Sequence, residues 1–512
     1  MGGDGIFKSD EQVRFIKKDI IGHNILIGAA GTGKTDLALA KFVDIVSKST
    51  ALQNNVFLTY NRSLAKYAES ITEILKKQHL FSGGVASTFS YHSFISPFCA
   101  SRGIKNILYD SPSLKLVEKA IITCNNAINK KDLSQTVIDI VADEIRYIQE
   151  MGLDSFEAYK ACQRNARMLR NIRRDKRKLY WDIYSEYLRL RELAGYDADW
   201  HDRAFLLLKS LKAKPLNTDE RYDCIVLDEA QDCSKTMIEL LLEILKPNGT
   251  FLYVGDTTQS IYGNRLPWQK LGLKIESGIS KLTFNLRNSM EISFFAQKIL
   301  DGPYWDKNIK ETLPPVSGST HGNKPSKLVF QNDDEEFNWL VKFLRAHTKQ
   351  EMEYTNCIVL YNKKQCNEIV RKLQDNNIDA VFIKDTSVSW TDKVLVSTYH
   401  SVKGMGYDNI IIYDFNENFC NLISKTVVNK EPDNIMATAS KLLYIAATRA
   451  KVNLVITSVG NSIINDFIEV ESCYRDLSKK DSKRHLPIKA YSKKTTDAAI
   501  VNRLLEFRIN TK

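Results

Sequence analysis

Short apolar runs alternate along this chain with longer amphipathic stretches. That rhythm predicts strands alternating with helices, and therefore parallel sheet. A first set of candidate strands is Asn24–Ile27, Val56–Thr59, Cys224–Leu227 and Phe251–Val254. A second set is Lys327–Phe330, Cys357–Leu360, Val394–Ser397, Asn409–Tyr413 and Asn453–Ile456. Both contain near-continuous apolar runs, the pattern of strands covered on both faces. Residues 96–216 read differently. Helical periods dominate there, as at Leu114–Ile128 and Leu133–Ile148, and strand-like runs almost vanish. This predicts a helical insertion over 96–216 that divides the first sheet domain into 1–95 and 217–280, with a second sheet domain over 281–474. Pro314, Pro315 and Gly318 mark a loop. After Ser458 the alternation stops, Arg475–Lys494 is polar and basic, and 475–512 reads as a basic tail that returns to structure at Ala499–Ile509.

Composition narrows the class. The chain has 512 residues, 43% hydrophobic and 26% charged, the balance of a globular protein with room for several domains. No apolar run approaches the ~18 residues of a membrane span. The opening MGGDGIFKSDEQ lacks the basic-then-apolar layout of a signal peptide, and Ile6 departs from the myristoylation pattern. A cytoplasmic protein without a membrane partner is expected. Nine cysteines, from Cys99 to Cys473, form no C-x-x-C pair, so reduced thiols are expected rather than a zinc or iron–sulfur site. Lys and Arg exceed Asp and Glu by 72 − 61 = 11, which favours a polyanionic partner without identifying one.

Two segments carry chemistry. Gly28-Ala29-Ala30-Gly31-Thr32-Gly33-Lys34-Thr35 matches G-x-x-x-x-G-K-[ST], after a predicted strand and before a helix. Glycines let backbone N–H groups wrap a phosphate at a helix N-terminus. Lys34 is expected to neutralise the β/γ-phosphates of ATP, and Thr35 to ligate Mg²⁺. The second segment, Cys224-Ile-Val-Leu-Asp228-Glu229-Ala-Gln-Asp232, delivers adjacent carboxylates to the C-terminal end of a strand, where open α/β sheets bind ligands. Asp228 is expected to hold Mg²⁺ through water, and Glu229 to orient and deprotonate the attacking water. A ligand-free glycine turn and a helix-capping acid pair are the alternatives for each segment alone.

In combination these residues carry a resemblance. Asp-Glu-Ala-Gln-Asp resembles motif II of the UvrD/Rep family of superfamily one DNA helicases. Val254-Gly-Asp-Thr-Thr-Gln259-Ser-Ile-Tyr262-Gly263 resembles motif III, Asn285-Leu-Arg287-Asn-Ser motif IV, and Thr398-Tyr-His400-Ser-Val-Lys403-Gly404 motif V. Leu443-Tyr-Ile-Ala-Ala-Thr-Arg449-Ala-Lys451 resembles motif VI, and Ser9-Asp-Glu-Gln12 the Q motif. The elements occur in family order over residues 12–451. The resemblance implies an α/β fold of two RecA-like P-loop NTPase cores, parallel sheets with flanking helices, with ATP between them. It implies that Gln12 reads the adenine edge and that Gln259 senses the γ-phosphate or its water. Arg287 and Arg449 would clamp transition-state charge, a role worth roughly 10³–10⁵ in rate. Val56-Phe-Leu-Thr59-Tyr-Asn61-Arg and Ser87-Thr88-Phe89-Ser-Tyr91-His92-Ser resemble motifs Ia and Ib. By resemblance Thr59, Asn61, Thr88, His92, Thr398 and His400 line a strand channel, with Tyr262 or Trp268 standing in for a missing aromatic; Phe89 and Tyr91 are read as core.

Departures from the family pattern qualify this. Asn264 stands where a base-stacking aromatic is usual, Leu286 where a tyrosine is, Asp36 where Arg is common, and Met405-Gly406-Tyr407 replaces Leu-Glu-Phe. Only Lys384–Lys393 separates Ala380–Ile383 from Val394–Ser397, so the large insertion before motif V is absent. The expected activity is a 3′-to-5′ ATP-dependent DNA helicase or translocase acting on single-stranded and tailed duplex DNA. The alternative is a nucleotide-driven sensor or regulatory component of a complex with a partner nuclease, because compact UvrD-like proteins occur in bacterial antiphage systems such as Gabija. An RNA motor stays open, since 2′-hydroxyl discrimination is not written in these motifs. Separately, Arg167, Arg170, Arg174 and Arg177 recur at helical spacing, which reads equally as a phosphate-binding stripe or a solvated face.

Overall fold

The computed structural model describes residues 9–50, 53–60, 62–77, 85–124, 134–162, 174–256, 268–305, 321–348, 355–383, 393–425 and 432–478. Asn61, Gln259, Tyr262, Arg167, Arg170, the Pro314–Gly318 loop and Ala499–Ile509 lie outside the described residues.

The first part of the chain supplies β1 (His23–Gly28), β2 (Asn54–Thr59), β3 (Val85–Ser90), β4 (Ile107–Leu108), β5 (Ala198–Asp199), β6 (Tyr222–Asp228), β7 (Leu245–Gly255) and β8 (Ile275–Leu282). The second supplies β9 (Ser326–Phe330), β10 (Asn356–Leu360), β11 (Ala380–Phe382), β12 (Val394–Thr398), β13 (Tyr407–Ile412), β14 (Ala450–Val459) and β15 (Arg475–Asp476). Sheet 1 runs β3-β2-β6-β7-β1-β8 and sheet 2 runs β11-β12-β10-β13-β14-β9-β15. Every strand pairing in both is parallel. The apolar runs became central strands because helices cover them on both faces. β10 and β13 bury every residue, and each sheet separates two apolar clusters. This is a mixed α/β fold of two RecA-like cores.

Two strands of sheet 1 escape the apolar pattern. β3 alternates buried and exposed positions at one edge, with Val85 and Phe89 exposed, so Phe89 is not the core residue expected. β8 closes the other edge with Glu276, Ser277, Gly278, Ser280 and Lys281 in its run. Edge strands need only one covered side, so hydropathy alone does not reveal them.

Between the halves of sheet 1, the helices Asp110–Cys124, Gln135–Met151, Phe156–Ala161 and Arg177–Leu193 pack around Ile121, Ile148, Tyr159 and Tyr187. β4 and β5 form a small two-stranded sheet beside them. The flanking helices Tyr91–Ser101 and Arg203–Ala213 instead pack into sheet 1's own core through Phe94, Ile95, Leu207 and Leu208. The arginine stripe does not hold at its last member. Arg177 is buried, and its Nη1 donates to the carbonyls of Tyr159, Lys160 and Cys162 at 2.8, 2.7 and 2.9 Å. A guanidinium that closes the open end of the Phe156–Ala161 helix serves no phosphate.

All nine cysteines are free thiols. Among the described residues no helix is long and apolar enough to cross a membrane.

The chain leaves sheet 1 for sheet 2 beside the phosphate loop. Thr283 N and Oγ1 donate to Glu11 at 2.8 and 2.6 Å, and Leu286 N donates to Gly31 O at 2.8 Å. The crossing is therefore pinned to the loop itself.

Candidate active site

Parallel order brings the C-terminal ends of β1, β2, β6 and β7 to one edge, and the expected nucleotide residues meet there. The loop Gly28–Gly33 leaves β1, and the helix Lys34–Lys48 begins directly after it. Gly31 and Gly33 take φ of +80° and +76°, a region costly for L-residues with side chains. A Cβ on Gly31 would collide with Asn285 Oδ1, so the glycine is required twice over. Lys34 Nζ donates to Gly28 O at 2.7 Å and Ala29 O at 2.8 Å, and lies 3.4 Å from Asp256 Oδ2. Asp256, which follows β7, had no role assigned from sequence. Thr32 Oγ1 closes the loop onto Ala29 O at 2.9 Å. Ala30 packs into the apolar cluster of the sheet-2 lobe. Gln12 is buried and donates through Nε2 to Thr32 O at 3.0 Å, so it braces this loop.

Asp228 ends β6 opposite Thr59 of β2. Its Oδ1 accepts from Glu229 N at 2.9 Å, and the nearby Thr35 hydroxyl favours the charged carboxylate. Its Oδ2 is buried without a hydrogen-bond partner among the described residues. Burial, then the adjacent Glu229 charge, pushes the Asp228 carboxyl up to about 7. An orphaned buried carboxylate oxygen beside a threonine hydroxyl fits a divalent cation, which would satisfy the oxygen and favour the charged form. Glu229 sits in the left-handed region at φ 53°, a strained conformation for a residue with a side chain. Its carboxylate accepts from Gln231 Nε2 at Oε2. Gln231 Oε1 accepts from Asp256 N at 2.9 Å, so Lys34, Asp256, Gln231 and Glu229 are linked in series.

The sheet-2 lobe closes the other side. Arg449 is buried, and its Nε donates to Ile445 O at 3.0 Å, Nη1 to Met405 O at 3.4 Å and Nη2 to Thr448 Oγ1 at 3.3 Å. Burial pulls its pKa below the usual arginine value, while the facing carboxylates Glu229 and Asp256 oppose the shift. Arg287 is pulled down to about 10, first by burial and then by the like charge of Arg449. Its Nη1 is buried without a hydrogen-bond partner among the described residues. Two guanidinium groups kept together in a desolvated pocket, with carboxylates opposite, are arranged for an anion between them. Asn288 Nδ2 donates to Thr448 O at 3.2 Å and also to Ala450 O, tying the Arg287 segment to the Arg449 segment.

Beyond Asp232 lies a small cleft between sheet 1 and the helical insertion, lined by Tyr60, His92, Trp200, Arg203, Asp232 and others. His92 and Trp200 are 4.3 Å apart between ring centroids, Tyr60 and His92 5.5 Å, and Trp200 and the exposed Tyr109 5.5 Å. The Arg203 guanidinium lies 3.9 Å from the Trp200 centroid and bonds His92 Nδ1 through Nη2. Its Nε, and the hydroxyl of the buried Tyr91, have no hydrogen-bond partner among the described residues.

A model of the UvrD/REP helicase N-terminal domain matches residues 9–274, more than half the chain, and one of the UvrD-like helicase C-terminal domain matches 383–461. The chain belongs to the UvrD/Rep helicase family. It is similar to a probable DNA helicase of Mycoplasma pneumoniae, 20% identical over 469 residues covering 88% of this chain and 83% of that one. A probable DNA helicase II homolog of Mycoplasma genitalium is 22% identical over 365 residues, 67% of this chain. The ATP-dependent DNA helicase Rep of Buchnera aphidicola is 26% identical over 200 residues, 38% of this chain. The match spans 50% of the length of the Mycoplasma genitalium protein and 30% of Rep.

The strand residues expected from the UvrD/Rep pattern are less uniform than the nucleotide ones. Thr59 is fully buried beside Asp228, Thr88 is buried with Oγ1 3.4 Å from Thr72 Oγ1, and Thr398 is buried. Thr398 Oγ1 bonds Ser401 Oγ at 3.0 Å and accepts from Ser401 N at 3.2 Å. All three threonines are thus covered by the fold, with Thr88 and Thr398 bonding to neighbouring hydroxyls. A small β-branched side chain at a strand end bonds locally. His92 is half-buried and lines the cleft, and His400 is exposed. Tyr60, Trp200 and Arg203 were not singled out from sequence. The signal was Trp200-His201-Asp202-Arg203, an aromatic–basic cluster entering a helix inside the otherwise uniform insertion.

Proposed function

We propose that this UvrD/Rep family member is an ATP-driven DNA motor that moves 3′ to 5′ along a single strand and separates duplexes ahead of it. The observation that carries the reading is the convergence of Lys34, Asp228 and Glu229 from the sheet-1 lobe with Arg287 and Arg449 from the sheet-2 lobe. A site shared by two lobes couples the charge of its contents to their separation.

Gly31, Gly33 and the N-terminus of the Lys34–Lys48 helix cradle the phosphates of ATP, and Gln12 reads the adenine edge while bracing the loop. Asp228 and Thr35 would hold Mg²⁺, which neutralises phosphate charge and orients the γ-phosphoryl group. Lys34 leaves the loop carbonyls for the β/γ-phosphates. Glu229 accepts a proton from the attacking water, and Arg449 with Arg287 stabilises the charge that develops between the lobes. The aromatic cleft around Trp200, with Arg203 beneath it, supports the strand side: ring faces stack on bases and guanidinium groups pair with phosphates. It compensates for Asn264, where the family usually carries a stacking aromatic. Opening a base-pair step costs roughly 1.4 kcal/mol of stacking, small beside a hydrolysis cycle.

The test has two arms. Lys34→Ala and Glu229→Gln should abolish strand-stimulated ATP hydrolysis while leaving the circular dichroism spectrum unchanged; undiminished turnover in either refutes the assignment. The purified chain should then displace a labelled strand from a 3′-tailed duplex and not from a 5′-tailed one.

A second reading, a nucleotide-driven component that controls a partner nuclease, is favoured by two relatives. The exonuclease/helicase protein RexA of Lactococcus lactis is 26% identical over 290 residues, and an ATP-dependent helicase/nuclease protein of the same species is 30% identical over 141. The chain covers 23% and 12% of those proteins. ATP hydrolysis without displacement from either tail would favour that reading.

A further inference from the structure

The helix that opens the nucleotide site carries a charge that does not suit phosphates. Lys34–Lys48 begins at the N-cap Gly33, and Asp36 is the acidic residue of its first turn. Backbone N–H groups at such an end attract anions, so a carboxylate beside them repels phosphate unless it serves another part of the ligand. Asp36 is exposed, and its surroundings define what it can reach.

An N-cap residue and the third residue after it are neighbours at a helix start, the relation that a capping box uses. Gly33 and Asp36 stand in that relation. The Gln12 amide fills the space beside Gly33, with Nε2 2.9 Å from where a Cβ on that glycine would lie. A base read by Gln12 therefore lies along the Asp36 side of the helix start. From the other lobe, Leu286 N donates to Gly31 O at 2.8 Å, which brings Arg287 up to the same loop. Arg287 Nε and Lys451 Cε lie 3.0 and 3.3 Å from the position a Cβ on Gly406 would take, so both side chains rest on that glycine. Burial pulls the Lys451 ammonium down, and the Asp408 and Asp36 charges oppose the shift. Burial likewise pulls Arg287 down, with Asp36 the foremost of the carboxylates opposing it. Asp36 thus stands at the outer end of the site, between the base reader and the sheet-2 lobe. Asp36 and Gly406 both depart from the family's usual Arg and Glu, so the arrangement is this chain's own.

We propose that Asp36 is a specificity-determining residue that accepts hydrogen bonds from the nucleobase and admits GTP alongside ATP. The inference rests on the reading of the Gly28–Gly33 loop as a nucleoside triphosphate site and names the bases that site takes. A carboxylate can only accept. Guanine presents N1–H and its 2-amino group side by side, matching the two carboxylate oxygens, whereas adenine offers only its 6-amino group. A bidentate match of this kind discriminates by about 5–150-fold. The base does not react, so the effect belongs in KM.

The experiment is steady-state hydrolysis of ATP, GTP and ITP by the full chain with saturating oligo(dT), for wild type, Asp36→Asn, Asp36→Ala and Asp36→Glu. Wild-type kcat/KM for GTP should lie within ~10-fold of that for ATP, and ITP, which lacks the 2-amino group, should fall below GTP. Asp36→Asn exchanges one acceptor for a donor, a pattern that fits adenine, and should swing the ratio toward ATP by about 5–150-fold, through KM. Asp36→Ala should lose GTP preferentially, and Asp36→Glu, which keeps the carboxylate, should retain part of it. A residue that only complemented the helix dipole would lower the urea midpoint in the Asn and Ala variants and leave the ratio unmoved. An unmoved ratio, a wild-type preference for ATP above ~10-fold, or a change residing in kcat overturns the inference alone. If Asp36→Ala loses cooperative unfolding, the near-isosteric Asp36→Asn carries the same comparison. A wild-type chain that hydrolyses no triphosphate overturns the reading of the loop as well.

Discussion

Arg449 gives the sharpest test of a shared site. A guanidinium has five N–H donors. Nε engages Ile445 O, Nη1 engages Met405 O and Nη2 engages Thr448 Oγ1. One N–H on each Nη is left, a parallel pair that matches two oxygens of a phosphoryl group. The three engaged donors fix the plane, so the remaining two are oriented before any ligand arrives. Arg449→Ala should then reduce kcat by about 10³–10⁵, the range of an arginine finger. At 1.36 kcal/mol per decade this is about 4–7 kcal/mol of transition-state stabilisation. The fold should lose less, about 1–3 kcal/mol for each buried carbonyl left unpaired. Arg449→Lys separates planar recognition from plain charge: a lysine cannot reproduce the fixed pair of donors and should stay within ~10-fold of alanine. The assay is single-turnover and steady-state ATP hydrolysis with saturating oligo(dT), alongside urea unfolding. A kcat within ~10-fold of wild type in either variant, or a full rescue by lysine, would refute the arginine-clamp argument.

Three further outcomes follow from the geometry. Gly31→Ala should destabilise by about 2–5 kcal/mol, from about 1–2 for left-handed backbone and about 1–3 for the clash with Asn285, and Asn285→Ala should remove only the second part in a double-mutant cycle read by urea unfolding. Trp200→Ala should weaken oligo(dT) binding by about 5–150-fold, equivalent to about 1–3 kcal/mol of base stacking, with basal ATP hydrolysis as the control; unchanged anisotropy titrations would remove the cleft from the strand path. Glu336 is buried beneath Asp414, and burial raises its carboxyl to about 7 from an ordinary 4.5. The folded state thus keeps a proton that the unfolded state has lost between about pH 4.5 and 7, so this residue's contribution to stability falls as pH rises through that window. Glu336→Gln should match wild type near pH 4.5 and exceed it by about 1–3 kcal/mol at pH 8 in urea unfolding, and a glutamine variant less stable at pH 8 would count against it.

What the sequence disclosed follows from where its information is local. β1, β6 and β13 were legible because strands covered on both faces must be apolar, and Lys34, Thr35, Asp228 and Glu229 because phosphate chemistry needs fixed residue types at fixed spacing. β3 and β8 were not legible, since an edge strand tolerates Ser, Thr and Lys. Arg177 misled because its charge is neutralised by carbonyl dipoles at the end of another helix, which no spacing rule reveals. The cleft was hidden for a different reason: Tyr60, His92 and Trp200 come from separate segments and acquire meaning only when the insertion folds back on sheet 1.

The pinned crossing at Thr283–Leu286 has a mechanical consequence. The chain enters its second lobe within hydrogen-bond reach of Gly31 and Glu11, so the fulcrum of any relative rotation lies next to the Gly28–Gly33 loop. A lever with its pivot there converts a slight gain or loss of contact at one anion into a much longer sweep at the distant rim. The reach of that sweep is then set by the breadth of the outer lobe, while only a small displacement at the pivot is needed to produce it.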